Sequence, residues 1–253
     1  MPAIQLSVVI ITYNEERNIA RCLEAVRGVA DEVVVVDSFS TDATVAISRQ
    51  NGARVVQHAF EGYVQQKNFA TAEARYEHVL QLDADEVLTE ELRQSILAAK
   101  NDWHGAGYTL ARLTNYCGSW VRHGGWYPDR KLRLYDRRLG QWEGLLLHER
   151  YEVAAGQPVG QLRGDALHYS YDSVEQHVQQ LNRFTSIAAD ELWLRGKRNV
   201  TVFHLLLKPW WKFVHGYFIR LGFLDGFAGL SIATISAWGV FLKLAKLKTK
   251  AAA

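Results

Sequence analysis

The sequence predicts an α/β fold in which a mostly parallel sheet is flanked by helices. Two β-branched runs, Leu6–Thr12 and Asp31–Asp37, are too apolar on both faces to form half-exposed strands. Each run is followed by a helical pattern, and this alternation is typical of βαβ units. The chain has 253 residues, 48% of them hydrophobic, so it is long and apolar enough to bury a large core.

The first hundred residues contain the elements of this sheet in order. Residues 18–26, after the first strand, have the apolar spacing of one helix face. Residues 54–60 predict a third strand, and residues 79–82 predict a fourth that ends in Asp83. Ligands of open α/β sheets bind beyond the carboxyl ends of the strands, so a site is expected where each run ends.

Polar or acidic residues occupy these strand ends. TYNEE follows the first strand, Asp37 ends the second and DADE closes the fourth. None has the glycine-rich turn of dinucleotide-binding or P-loop proteins. Asp83 and Asp85 lie two residues apart on an extended segment, so both carboxylates project to one side. Such a pair suits one divalent cation, Mg²⁺ or Mn²⁺, or a cation and a ribose.

Charge is distributed unevenly along the chain. Residues 194–253 contain ten Lys or Arg against one acid and sum to +9, which leaves 19 basic and 26 acidic residues, near −7, for residues 1–193. The basic segment also contains ten aromatic residues and the uncharged run Gly226–Leu242. This combination favours an anionic membrane surface over nucleic acid. The run is short for a spanning helix, so an interfacial helix is favoured, with a buried helical hairpin as the alternative.

Four segments together resemble a known family: SVVIITYNEERNIARCLEAV, VVVVDSFSTDAT, YVQQKNFA and LQLDADE. They are similar to the inverting, nucleotide-sugar-dependent glycosyltransferases of family 2, which have the GT-A fold. GWYPDRKLRLY, HERYE and GFLDGFAGL resemble more specifically the lipopolysaccharide core branch, which adds a glucose-type sugar to an inner-core heptose. The resemblance implies a UDP-sugar donor, a lipid-linked core oligosaccharide acceptor and peripheral attachment to the cytoplasmic face of the bacterial inner membrane.

Site roles follow from the same resemblance. Nucleotide-sugar binding is implied for Thr12, Tyr13, Glu15, Asp37, Lys67 and Asp83. Asp85 is implied as the main metal ligand, with Asp83 and His148 as further candidates. Contact with the acceptor or the donor sugar is expected for Trp126, Tyr127, Asp129 and Arg130.

Inverting transfer also needs a carboxylate base on the acceptor side of the sugar. The candidates are Asp129, Asp136, Glu143 and Glu149. Glu149 is favoured, because it follows an apolar run, adjoins His148 and corresponds to the acidic motif in which the family usually places its base. Asp129 is the runner-up.

The expected organisation is a catalytic domain followed by an extension. The GT-A domain covers residues 1–193, with a nucleotide-sugar-binding half (1–105), an acceptor half (106–170) and a helix (171–193), and residues 194–253 form the basic, helical, membrane-associating extension. Two other functions remain open: a glycosyltransferase that acts on polyprenyl phosphate or another glycolipid, and a non-catalytic nucleotide-sugar-binding scaffold. The two cysteines have no CxxC spacing, which argues against a disulfide framework and a structural zinc site.

Overall fold

The computed structural model describes residues 3–144 and 149–252 of the chain. They divide into two compact units. Unit 1 consists of Met1–Arg112 and Asp129–His168, and unit 2 consists of Leu113–Pro128 and Tyr169–Ala253. Two of the boundaries between the units fall inside long strands, so each unit contains part of both strands.

Unit 1 begins with four parallel strands in the spatial order β3-β2-β1-β4. The strands are β1 (Leu6–Thr12), β2 (Glu32–Asp37), β3 (Arg54–Gln57) and β4 (His78–Asp83). The connecting helices are α1 (Ile19–Ala25), α2 (Thr44–Gln50) and α3 (Tyr63–Ala72). The predicted α/β alternation is confirmed, but the third strand ends at Gln57 rather than Phe60. Beyond Gln57 the chain leaves the sheet, and the His58 ring stacks on Phe69 with the ring centroids 3.8 Å apart.

Seven further strands follow, and most of them extend this sheet through antiparallel pairs. They are β5 (Glu86–Leu88), β6 (Gly107–Tyr116), β7 (Ser119–Val121), β8 (Asp129–Asp136), β9 (Gly140–Glu143), β10 (Arg150–Val153) and β11 (Val159–Tyr171), with helix α4 (Glu90–Asn101) after β5. The order continues from β4 through β8, β6 and β11 to β5, while β9 and β10 form a separate pair. Pairing of β5 with β11 places His168 opposite Glu86.

The core of unit 1 lies on both faces of the parallel strands. Along β1, Leu6, Val8 and Ile10 belong to the cluster that packs against α1 and α4. Val9 points to the other face and joins the cluster beneath α3. A strand covered on both faces needs apolar residues at every position, which is why these strands have continuous β-branched runs in the sequence.

Unit 2 is dominated by three helices, α5 (Val174–Leu194), α6 (Val202–Val214) and α7 (Gly226–Ala252). Helix α7 packs against both of the others. Leu244 and Leu247 of α7 are buried with Ala189 and Val200. Within the described ranges, only Gly222–Lys250 is long and apolar enough to cross a membrane, with a mean hydropathy of 1.5 in its most apolar window. Core helices of soluble proteins share that property.

The GFLDGFAGL segment forms a tight corner between α6 and α7. Leu221 and Gly226 both have a φ of 58°, and a Cβ on Gly229 would overlap the carbonyl oxygen of Gly222. Asp225 accepts hydrogen bonds from the backbone N–H groups of Arg122 and His123, the latter at 2.7 Å. The glycines therefore allow close approach of the backbone, and the acid fixes the loop that precedes Trp126.

Candidate active site

The acids after β4 form the centre of the candidate site. Asp83 ends the strand, a short turn carries Asp85, and Glu86 begins β5. The fully buried Glu86 carboxylate accepts the backbone N–H of Asp83 at 3.0 Å. This hydrogen bond closes the turn, so the geometry of the two aspartates is set by a neighbouring buried carboxylate.

Asp83 is held by cations. Its Oδ2 lies 2.8 Å from Nη2 of Arg133, and its Oδ1 lies 3.5 Å from Nζ of Lys67. Burial opposes ionisation of Asp83, but Arg133, Lys67 and Arg112 outweigh it, and the pKa of this carboxyl lies well below its ordinary value. Asp83 is therefore ionised at neutral pH, and both of its oxygens already have cationic partners.

Asp85 has a different partner. Its Oδ2 lies 3.2 Å from Nε2 of His168, which the register between β5 and β11 brings to the turn. Burial of the imidazole lowers the pKa of His168, but the Asp85 carboxylate outweighs burial and raises it. Asp85 thus has a nitrogen neighbour, whereas Asp83 is neutralised by guanidinium and ammonium groups.

Glu149 lies at the same centre through Lys67. Nζ of Lys67 is 3.0 Å from Oε1 of Glu149 and 4.7 Å from the ring centroid of Trp142. The Lys67 residue is only 1% exposed. A buried ammonium needs anionic partners, and here two carboxylates, Glu149 and Asp83, share it. The structure therefore brings together three predicted site residues that are far apart in the sequence.

Asp129, the runner-up base, is engaged elsewhere. Its Oδ2 accepts a hydrogen bond from Nε of Arg112 at 2.9 Å, and Lys131 lies 3.1 Å from its Oδ1. Burial raises the pKa of Asp129, but Arg112 and Lys131 outweigh burial and hold it below its ordinary value. Arg130, next in the chain, is exposed at the start of β8.

Polar residues lie at the ends of β1 and β2. Asp37 is fully buried and accepts hydrogen bonds from the Ser40 backbone N–H at 2.9 Å and from Oγ of the same residue. Thr12 is buried, and within residues 3–144 and 149–252 its Oγ1 has no hydrogen-bond partner. Tyr13, at 59% exposure, is free to stack on a flat ligand.

Glu15 belongs to the same edge. Burial raises the pKa of Glu15, the hydrogen bond from Asn18 lowers it, and the charge of Asp85 raises it further. The net pKa lies above the ordinary value. The influence of Asp85 indicates that the β1 turn and the β4 turn face a common region, as expected for carboxyl ends of parallel strands.

Two predicted contact residues belong to unit 2. Trp126 packs in a ring cluster with Tyr116, Tyr171 and His177. Tyr127 lies beneath the Arg122 guanidinium, 5.6 Å from its ring centroid. His148 lies outside the described residues.

Sequence reasoning gave no role to three residues of the site: Glu86, Arg112 and His168. Glu86 stands in the DADE segment that the sequence singles out after the fourth strand, but its burial and its hydrogen bond from Asp83 are visible only in the structure. His168 carries no local signal, because it sits within a long strand and reaches Asp85 only through the pairing of β11 with β5. Among the described residues, no three His, Cys, Asp or Glu side chains are grouped as a preformed metal site. Asp85 and His168 offer a pair of ligands.

Comparison with known proteins finds relatives of this chain among glycosyltransferases. The glycosyl transferase family 2 model matches residues 7–158. An uncharacterized glycosyltransferase of Rickettsia typhi is 35% identical over 96% of this chain and 87% of its own length. The lipopolysaccharide core biosynthesis glycosyltransferase LpsC of Rhizobium meliloti is 29% identical over 98% of this chain and 93% of its own.

A solved structure shares the fold. The mannosyltransferase PcManGT of Pyrobaculum calidifontis, determined with GDP-Man and Mn²⁺, has a TM-score of 0.53 at 17% identity and covers 99% of this chain and 87% of its own. The predicted GT-A fold, with a mostly parallel sheet and a C-terminal apolar helix, is thereby confirmed. The chain belongs to glycosyl transferase family 2 and is a glycosyltransferase.

Proposed function

We propose that this enzyme transfers a hexose, with glucose as the first candidate, from a UDP-sugar to an inner-core heptose of lipopolysaccharide, with inversion at the anomeric carbon. The observation that carries the proposal is the convergence of Asp83, Asp85 and Glu149 around Lys67 and His168 at the edge of the sheet that also carries Asp37. The similarity to LpsC supports the class of acceptor.

The donor would bind along the ends of β1, β2 and β4. Asp37, buried and ordered by Ser40, can accept a hydrogen bond from the uracil edge. Thr12 and the exposed Tyr13 would wall the base and ribose, with Glu15 beside them. Asp83 is fixed by Arg133 and can accept a ribose hydroxyl. Lys67 is committed to carboxylates, so we assign it to holding the site together rather than to contact with the base.

A divalent cation fits the acidic turn. Asp85 and His168 would hold it, because Oδ2 of Asp85 and Nε2 of His168 lie 3.2 Å apart and Asp83 is paired with Arg133 and Lys67. An imidazole beside a carboxylate favours Mn²⁺ over Mg²⁺, which prefers oxygen ligands. When bound, the ion would offset the negative charge that grows on the departing diphosphate.

Glu149 would act as the base. It would accept the proton of the acceptor hydroxyl as that oxygen forms its bond to the anomeric carbon and the bond to the β-phosphate oxygen breaks. UDP leaves with the electron pair of the broken bond. Lys67 fixes the Glu149 carboxylate and ties it to Asp83, so the base and the donor site are held by one buried cation.

The acceptor side would include Asp129, which begins β8, while contacts by Trp126 and Tyr127 stay predictions. Arg130, exposed at the start of β8, is positioned to meet an anionic saccharide. With a lipid-linked acceptor, the enzyme would act at the cytoplasmic face of the inner membrane. The basic extension supports peripheral attachment there. Polyprenyl phosphate remains the alternative acceptor. A non-catalytic scaffold is disfavoured, because no carboxylate that the reaction needs is missing.

A donor panel tests the proposal. Purified enzyme is incubated with UDP-glucose, UDP-galactose or UDP-N-acetylglucosamine, with Mn²⁺ or Mg²⁺, and with either core oligosaccharide or polyprenyl phosphate. Mass spectrometry should detect one added hexose on the core oligosaccharide. Addition only to polyprenyl phosphate would favour the alternative acceptor, and absence of UDP release under every condition would favour the scaffold.

A further inference from the structure

We propose that unit 2 docks on an anionic lipid bilayer through α6 and the corner that follows it, and not through the lysine-rich end of α7. The docking face is defined by Phe203, Leu206 and Trp210 of α6, by Phe218, which follows that helix, and by Leu224 and Phe227 of the corner. The choice of a bilayer rests on the proposed function, which needs a lipid-linked acceptor, while the location of the face rests on the contacts that follow.

Helix α6 presents an apolar face to solvent. None of the described side chains of this 13-residue helix is buried. Phe203, Leu206 and Trp210 follow each other at the i, i+3, i+7 spacing of one helix face, and Phe203 and Trp210 are 67% and 61% exposed. Large apolar side chains that cluster at a surface mark an interaction site. Helix α6 therefore has a face without an internal partner.

The apolar surface continues into the corner. Rings connect the two parts: Phe213 of α6 contacts Phe218, and Tyr217 contacts Phe223. Phe218 and Leu224 are exposed, and Phe227 is 73% exposed, more than any other aromatic residue among the described residues. A continuous aromatic surface of this kind suits the interfacial region of a bilayer, where ring systems are stable at the headgroup level.

A basic residue borders this face. Arg220 is exposed between Phe218 and Leu224 in the sequence, and its guanidinium matches a lipid phosphate. Lys208 and Lys212 follow Phe203 by five and nine residues, so they lie towards the opposite side of α6, where both line an open groove of about 500 Å³ with Trp211 and His215. A second copy of the chain would bring Arg220 against Arg220, because the only acid of residues 194–253, Asp225, already accepts hydrogen bonds from Arg122 and His123.

The lysines at the end of α7 are used inside unit 2. Nζ of Lys246 lies 2.8 Å from Oδ1 of Asn182 and from Oγ1 of Thr185 on α5. Lys248 donates to the Val200 carbonyl, and Lys250 pairs with Asp190. Four of the ten basic residues of the extension lie in this end of α7, yet three of them hold the helices together. Helix α7 therefore supports α6, and its charge is not presented to lipid.

Vesicle sedimentation of the full chain tests the proposal, with phosphatidylcholine vesicles that either contain or lack phosphatidylglycerol. The unmodified protein should bind only where phosphatidylglycerol is present, and part of that binding should survive high salt. Arg220→Gln should weaken binding roughly fivefold, since a basic residue at an anionic surface contributes about 1 kcal/mol. Phe203→Ser/Leu206→Ser/Trp210→Ser should abolish the salt-resistant part.

The matched control is Lys250→Gln, which removes the same charge from α7 and should change binding by less than about twofold. Circular dichroism checks that each variant is folded. The proposal is overturned if Arg220→Gln and Lys250→Gln weaken binding equally, if the apolar triple variant binds like the unmodified protein, or if the face instead drives self-association without vesicles. Binding to vesicles needs no transfer, so a failed transfer assay would leave this result intact.

Discussion

At the scale of single residues, the site separates two aspartates that look equivalent in the sequence. Asp83 is neutralised by Arg133 and Lys67, whereas Asp85 has His168 as its neighbour. Guanidinium and ammonium partners stay charged, whereas an imidazole can release its proton when a metal ion binds, so binding at Asp85 has no permanent ion pair to break. The structure therefore gives a physical reason to assign the metal to Asp85.

Replacement of Asp85 tests this assignment. Asp85→Ala should lower UDP release from the donor by roughly 10³-fold, because a ligand to the charge-stabilising ion is lost. Mn²⁺ titration by calorimetry in the presence of UDP should show weaker binding. The matched control is Asp102→Ala, which removes an exposed aspartate paired with His104 and should leave activity unchanged. Full activity of Asp85→Ala, or of the unmodified enzyme in chelator, would exclude the metal role.

Replacement of Glu149 tests the base. Glu149→Gln should keep near-native affinity for the UDP-sugar while kcat falls by roughly 10² to 10⁴, the range expected for loss of a general base. Donor affinity is measured by calorimetry and kcat by product formation. Asp129→Asn serves as the comparison, because Asp129 is paired with Arg112 and Lys131 and should affect kcat less. If the effects are reversed, Asp129 is the base.

At the scale of secondary structure, the sequence predicts strands most reliably where both faces of the strand are buried. The runs that became β1, β2 and β4 are apolar at nearly every position, since each strand is covered on both faces. Lys67 could be assigned a role only by resemblance, because its burial arises from the packing of α3 against the sheet and from Trp142, 75 residues later. His168 is similar: its place depends on strand pairing between distant segments, which local sequence does not encode.

The start of α5 should make stability sensitive to pH. His177 packs among Tyr116, Tyr171 and Trp126, its Nδ1 lies 3.1 Å from the Tyr116 hydroxyl, and burial lowers its pKa to about 4. The unfolded chain therefore binds a proton between pH 6.5 and pH 4 that the folded chain does not. Stability contributed by neutral His177 should be complete near pH 7 and fall by about 2 kcal/mol towards pH 5.

Urea unfolding of the full chain at a series of pH values measures this effect. His177→Gln keeps a hydrogen-bonding side chain that does not titrate, so its curve should be flatter between pH 7 and pH 5 than that of the unmodified protein. Mutation of His104, an exposed histidine, is the control and should not change the slope. Parallel curves for the unmodified chain and His177→Gln would show that His177 does not titrate with folding.

At the scale of the whole molecule, fold and family could be predicted from the sequence, and the arrangement of charge could not. The sequence indicated a basic segment of +9 but did not indicate which lysines face outward. Lys246 and Lys250 contact residues of α5, whereas Lys208 and Lys212 are exposed on α6. That distinction depends on helix packing. The predicted attachment to a membrane stays a prediction, with its expected surface now restricted to α6 and the corner.

The central claim is that carboxylates of unit 1 drive a single displacement at the anomeric carbon. A single displacement must invert the configuration, because the acceptor oxygen attacks the face opposite the departing UDP. Nuclear magnetic resonance of the product formed from UDP-glucose, an α-linked donor, measures this directly. We expect a β-linked glucose on the core oligosaccharide with the unmodified enzyme and no detectable product with Glu149→Gln over the same time. An α-linked product, or an unchanged yield from Glu149→Gln, would contradict the account.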